Sequence, residues 1–358
     1  MYKLALKITF FFLLISFSTI SSYAQKDCDE RILNAQKLYD AGKYNQVIIN
    51  LVDVLNECNL KGNKKYEVLK YLAAANYELD ELEEANKYMM SFLKKMPYYD
   101  LNLNSDPGAF LEHIDYFKKW PLIEVGLNGG IPFNNIITDK IYPVLDTAIT
   151  DYNQDFYTKS AYLIGIDLTF NINNYIAVST GGNLIQQEIA QTIPMFQGID
   201  FNYSEKMKQI NIPLSFKFSF PIKNFTPSIY FGGELIYMLN SEYYYDYTEN
   251  GTYDEKYEFL ILRRKRSDVF LDMDTERNQM RYAAIGGVQL AYKIKKISIF
   301  ARFKYRKELD YFNNSDFHYT KQDLYITNYY VFPDIHFESY EATIGFTYSL
   351  FYKIKPKY

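Results

Sequence analysis

The chain of 358 residues has room for about two domains and carries 43 acidic against 39 basic side chains, a net charge of −4. That acidic balance argues against a nucleic-acid partner, which needs a basic face. After residue 24 there is no apolar run of about 18 residues, so no spanning helix is expected and residence in a membrane must come from strands.

At the N-terminus Lys3 and Lys7 precede an apolar run, Ile8–Phe17, and Ser22-Tyr23-Ala24 puts small residues at the two positions signal peptidase inspects. Residues 1–24 therefore read as a secretory signal; the run is about half the ~20 residues a spanning helix requires. Lys26-Asp27 stand before Cys28 where a lipoprotein site needs small and apolar residues. Removing the signal takes away Lys3 and Lys7 and leaves 37 basic against 43 acidic residues, a charge of −6.

Export places the two cysteines, Cys28 and Cys58, in an oxidising compartment. Cys28 opens one predicted helix (29–41) and Cys58 closes the next (44–58), so an antiparallel pair brings them together and a disulfide is expected. There is no C-x-x-C, and His113, His318 and His336 have no ligand-like spacing with the cysteines. Neither a metal nor a cofactor is expected.

Helical periodicity runs through residues 25–97. Leu33, Ala35, Leu38 and Tyr39, then Gly42 and Tyr44, then Val47, Leu51, Val54 and Leu55 place apolar residues on one face of two helices with a glycine turn between them. Leu69, Leu72, Ala73, Tyr77, Leu82, Ala85, Met89, Phe92 and Leu93, closed by Pro97, repeat the scheme at an offset of about 38 residues. These residues resemble a tetratricopeptide repeat, although Val47, Asn59 and Asp80 depart from its alanine, proline and turn glycine. The resemblance implies a groove for a peptide or protein partner. Residues 98–120 read as a linker in which Asp106-Pro107-Gly108 caps a helix through Phe110, Ile114 and Phe117, with Trp120 suited to a membrane–water boundary.

From Pro121 the period changes to two. The last run is the clearest: Tyr340, Ala342, Ile344, Phe346, Tyr348, Leu350 and Tyr352 alternate with Glu341, Thr343, Gly345, Thr347 and Ser349. Ile210–Phe220, Ile297–Tyr305 and Tyr162–Phe170 alternate in the same way. Weaker runs at 121–133, 174–188, 225–242 and 278–293 carry Gly-Gly pairs that ease curvature. Sandwich strands average about five or six residues, too short for these runs, whereas a membrane strand needs ~9–11.

Tight connections (Asn171–Asn174, Pro221–Asn224, Lys293–Lys296) alternate with long polar ones (134–158, 189–207, 243–277, 311–336). The expected architecture is thus helical-hairpin repeats followed, over 121–358, by an eight-stranded antiparallel transmembrane barrel in an outer membrane. Short turns and the helical segment fall on the periplasmic side, and the outer face meets lipid and lipopolysaccharide.

The Gln209–Lys217 strand, its tight turn and the Phe231-Gly232-Gly233-Glu234 strand together resemble the PorT-like outer-membrane barrels of Bacteroidetes over roughly residues 121–352. The fused helical repeat departs from that family's plain barrel. Thr343, Gly345, Tyr348 and Leu350 resemble the signal read by barrel-assembly machinery. The resemblance raises a role in type IX secretion or gliding.

A bore of eight strands is filled by side chains, and the polar faces put Glu124, Asp167, Lys217, Glu234, Arg281, Arg302, Lys304, Arg306 and Glu341 inside, where opposite charges pair. Ser315 and His318 are the nearest approach to a lipid-enzyme pair and read as chance loop residues, so no enzyme is expected. Arg263, Arg264, Lys265 and Arg266 in the longest loop suit anionic sugar or phosphate groups at the cell surface. The expected role is a non-enzymatic anchor for a periplasmic partner-binding module. The alternative is a narrow transporter or surface-binding porin-like barrel.

Overall fold

A computed structural model of the chain describes residues 27–142, 156–195, 199–249, 265–314 and 331–357. The expected secretory signal lies outside the described residues. Two compact units emerge, a helical one that runs to Trp120 and takes in Phe351–Tyr358, and a strand unit, Pro121–Leu350.

The helical unit contains α1 (27–40), α2 (Tyr44–Glu57), α3 (Asn63–Glu78), α4 (Leu82–Lys95) and the short α5 (Gly108–His113), followed by a 3-10 turn, Ile114–Tyr116. Helices α2 and α4 each bury one stripe, Val47, Leu51 and Val54 in the first and Ala85, Met89, Phe92 and Leu93 in the second. Helix α3 is covered on most sides, with Val68, Leu69, Leu72 and every residue from Ala73 to Tyr77 buried. Its alanines let neighbouring helices approach closely.

The turns between hairpin helices place Gly42 at φ 70° and Asp80 at φ 60°. An aspartate thus occupies the left-handed conformation that glycine adopts freely. Cys28 and Cys58 are joined in a disulfide.

Residues 98–116 are more than a connection. Asp106 accepts hydrogen bonds from Lys70 at 2.6 Å and from the Tyr99 hydroxyl at 2.9 Å, while His113 stacks on Tyr77 with ring centroids 4.0 Å apart. Phe110, Ile114 and Phe117 enter the core around Met89 and Phe92, as do Tyr352 and Ile354, at 6% and 4% exposure. The last residues of the chain therefore complete the helical core, where the sequence had left them with the barrel. The Lys357 N–H adds a hydrogen bond to the Tyr116 carbonyl at 2.8 Å. Trp120 is also buried at 8% exposure, which corrects its expected place at a membrane boundary.

Among the described residues nine strands follow: β1 (Phe117–Lys140), β2 (Phe156–Asn171), β3 (Ile176–Met195), β4 (Ile199–Ser219), β5 (Phe225–Glu249), β6 (Lys265–Asp272), β7 (Met280–Ile294), β8 (Ile297–Glu308) and β9 (Asp334–Pro356). Eight of them close a ring in the order β4-β3-β2-β1-β9-β8-β7-β5, with β4 pairing β5 to complete it. Strand β6 stands outside the ring and, among the described residues, pairs with the far end of β5, from Glu242 to Thr248.

Closure removes every sheet edge within the ring, which a bilayer demands because unpaired backbone groups find no water there. The outward face is apolar along Tyr162, Ile164, Ile166, Phe170 and Ile172 of β2 and its following turn, and along Ile212, Leu214, Phe216, Phe220 and Ile222 of β4 and its turn; all are exposed. Each run covers about 11 residues, the span a tilted strand needs to cross the hydrocarbon. Ile344, at 72% exposure, has no reason to face water in a folded protein but suits lipid.

The tight turns Ile172–Tyr175, Phe220–Asn224 and Lys295–Lys296 gather at one end of the ring, where β1 enters and β9 leaves. At the other end the expected long polar connections are largely strand: β3 and β4 pair continuously from Asn183↔Asn211 out to Met195↔Ile199. Strands β4 and β5, at 21 and 25 residues, run well past the apolar band.

Within the Gly-Gly pairs one member is under steric demand. A Cβ at inward-facing Gly232 would overlap the Leu214 carbonyl, whereas one at Gly233 would meet nothing closer than 3.7 Å.

Candidate functional site

The interior of the ring holds the most concentrated chemistry of the chain. Alternation aims every second side chain inward, and the nine charged residues expected there all lie on inward positions. Seven of them, all but Glu124 and Lys217, are joined by ion pairs in layers. Toward the tight turns, Arg302 grips Asp167 with Nη1–Oδ1 3.1 Å and Nη2–Oδ2 2.9 Å, while Asn128 Nδ2 donates to Asp167 Oδ2 at 3.0 Å. Arg302 Nε also donates to Gln289 Oε1 at 3.2 Å.

In the next layer Lys304 Nζ bridges Glu234 at 2.7 Å and Glu341 at 2.8 Å. Arg306 Nη1 lies 3.1 Å from Glu341 and 3.4 Å from Glu234. Asn211 Nδ2 donates to Glu234 Oε1 at 2.6 Å, and Arg306 Nη2 donates to Ser339 Oγ at 2.9 Å. Above it Arg281 donates to Glu308 at 2.8 Å and to Gln209 Oε1 at 3.0 Å.

The described layer farthest from the tight turns is rich in aromatic side chains. Arg277, on the connection between β6 and β7, folds inward and donates through Nε and Nη2 to the two oxygens of Glu205, each at 2.8 Å. Ser241 and the Tyr203 hydroxyl also donate to that carboxylate. The guanidinium lies 4.0 Å from the ring centre of Phe332 and 4.7 Å from that of Phe312. Around it Tyr203, Met207, Met238, Tyr243, Met273, Ile335 and Phe337 pack into one buried cluster.

Six carboxylates, Glu124, Asp167, Glu205, Glu234, Glu308 and Glu341, thus stand against six cations, Lys217, Arg277, Arg281, Arg302, Lys304 and Arg306. Such balance is what burial in a low-dielectric bore requires. The arrangement holds strands together across the ring, and the described side chains of the aromatic layer around Arg277 are buried.

Sequence reasoning missed Glu205, Arg277, Glu308 and the aromatic plug. Glu205 and Arg277 fell inside expected loops, and Glu308 lay just past the end of an expected strand. Arg263 and Arg264 lie outside the described residues, as do Ser315 and His318; Lys265 and Arg266 open β6. Thr343 and Gly345 face inward, Tyr348 faces outward, and the strand unit ends at Leu350, the last residue of the assembly-signal pattern. Among the described residues no three His, Cys, Asp or Glu side chains converge as a metal site.

No protein-family model and no curated protein matches the chain. Solved structures similar to it include outer-membrane proteins. The outer membrane protein OprG from Pseudomonas aeruginosa is 10% identical over 64% of this chain and 97% of its own, with TM-score 0.38. Neisserial surface protein A gives 11%, 65%, 99% and 0.29, and the attachment invasion locus protein Ail of Yersinia pestis gives 12%, 63%, 98% and 0.27.

Proposed function

We propose that the chain is a non-enzymatic barrel of a bacterial outer membrane whose helical unit, on the periplasmic side, holds a protein partner of a secretion or envelope-assembly complex. The observation that carries this reading is the closed bore: a lumen crossed by paired charges and stoppered by Arg277 between two phenylalanine rings suits an anchor rather than a solute path. Both ends of the ring leave at its tight-turn end, which in such barrels is periplasmic. The PorT-like resemblance of the Gln209–Lys217 strand favours the same setting, and the assembly-signal pattern of β9 fits insertion by barrel-assembly machinery. The basic run Arg263–Arg266 serves to bridge phosphates of lipopolysaccharide. No catalytic set enters this reading.

Because residues 98–116 cover α3, the helical unit offers a partner mainly α1 and α2, where Leu33 and Ile49 are exposed at 53% and 64%. A photo-crosslinking residue placed at Ile49 of the full chain in cells is expected to give one discrete adduct with a periplasmic protein, and Ile49→Asp to abolish the complex. No adduct from either Leu33 or Ile49 overturns the partner reading. A narrow transporter, the alternative, requires Arg277 and its aromatic neighbours to leave the bore.

A further inference from the structure

Among the described residues one inward-facing cation, Lys217, has no counterion in contact. Lys217, on β4 near the tight-turn end, lines a small chamber of about 30 Å³ together with Asp167, Asn183, Ser215, Gln289 and Arg302. The carboxylates whose charge acts on it are Glu124 and Asp167, with Arg302 opposing. Neither carboxylate forms an ion pair or hydrogen bond with it. Both Asp167 oxygens are already engaged by Arg302, and one of them by Asn128 as well. Glu124 accepts from Ser349 Oγ at 3.3 Å.

The rest of the wall adds donors. Ser215, two residues before Lys217 on the same inward face, has a hydroxyl that makes no hydrogen bond among the described residues. The Gln289 carbonyl is taken by Arg302 Nε at 3.2 Å, which leaves the amide NH₂ to donate. Arg302 and Lys304 add two further positive groups to the lining.

An ammonium removed from bulk water without an acceptor is costly. The chamber has room for about two waters by the ~10–15 Å³ each needs, and a halide ion is little larger than one. We propose that the chamber beside Lys217 is a binding site for a small inorganic anion of halide size, held by the Lys217 ammonium, the Ser215 hydroxyl and the Gln289 amide. This site does not depend on the partner reading of the helical unit.

Bromide is the probe. Crystals of the full chain soaked in sodium bromide and measured at the bromine edge are expected to show an anomalous peak beside Lys217 Nζ, absent from Lys217→Met crystals. In detergent, exchanging gluconate for bromide at constant ionic strength is expected to raise the thermal midpoint of the wild type by about 2–4 °C and that of Lys217→Met not at all. Lys217→Met keeps the side-chain length, and the wild-type titration stands by itself if the variant does not fold. A chamber that holds only water in bromide, or a peak that persists in Lys217→Met, overturns the assignment.

Discussion

Arg277 and Glu205 are 72 residues apart in sequence, yet the guanidinium of one meets both carboxylate oxygens of the other at 2.8 Å in a place that solvent does not reach. The contact ties a connection beyond the apolar band to the inner wall of β4. It also explains how so large a cation sits among phenylalanines: charge is met by Glu205, and the flat faces of the guanidinium by aromatic rings.

Removing one partner of that pair strands the other in the core. Arg277→Met is expected to cost about 3–5 kcal/mol, read as a lower urea midpoint for the detergent-folded full chain. The double variant Glu205→Leu with Arg277→Met should recover most of that loss. If the two single variants and the double are equally destabilised, the pair is not acting as a unit.

Gly232 and Gly233 give a paired test of the wall. Gly232→Ala forces a methyl against the Leu214 carbonyl and should lower the yield of folded, heat-modifiable barrel on gels by severalfold. Gly233→Ala, whose methyl would meet only the Ala283 carbonyl at an ordinary contact distance of 3.7 Å, should fold like the wild type. Equal behaviour of the two removes the steric argument.

The Cys28–Cys58 disulfide closes a loop of 30 residues. On the chain-entropy account that is worth about 3–4 kcal/mol, so replacing both cysteines with alanine should make the helical unit far more sensitive to protease while the barrel still folds. Unchanged proteolysis would mean that the two helical cores hold the unit without the covalent link.

Lys70 and Asp106 set a pH window for the helical unit. Burial on its own raises the Asp106 carboxyl, but the Lys70 ammonium, the Asn102 N–H and the Tyr99 hydroxyl outweigh it and hold the carboxyl below its usual range. Burial likewise opposes the Lys70 charge, and Asp106 with Tyr99 raises it above the ordinary lysine value. A depressed carboxylate contributes stability above its unfolded pKa, about 3.9, that is lost as pH falls through the folded value. A raised lysine contributes below its unfolded pKa, about 10.4, and loses its share as pH rises through the folded value. Protease resistance should therefore hold from about pH 5 to 9 and fall outside that range. Asp106→Asn should weaken the unit within the window and blunt both limbs; limbs unchanged in Asp106→Asn would assign them to other groups.

The barrel was legible in the sequence because lipid imposes one rule on every strand: apolar outward, polar inward, period two. Ile297–Tyr305 obeys it except at inward Phe300, and Tyr340–Tyr348 obeys it along its length. Beyond the apolar band the rule inverts, since the outward face there carries Ser204, Lys206 and Glu188 while Tyr203, Met207, Ile185 and Ile189 turn inward to pack the plug. Alternation continues with its phase reversed, so these stretches read as polar loop instead of strand. A search for reversed alternation would have extended β3 and β4 and found Glu205. Arg277 lies in a connection without periodicity and had no signal. Tyr352 and Ile354 continue the alternation of β9, and nothing local tells that they belong to the helical core, where Tyr352 meets the Tyr98 ring, rather than to lipid.

The closed bore is the center of this account, and electrical recording tests it most directly. The purified full chain inserted into planar bilayers is expected to give no steady single-channel current at moderate voltage, while Arg277→Ala opens brief, small conductances. Steady currents from the wild-type chain, unchanged by Arg277→Ala, would contradict it.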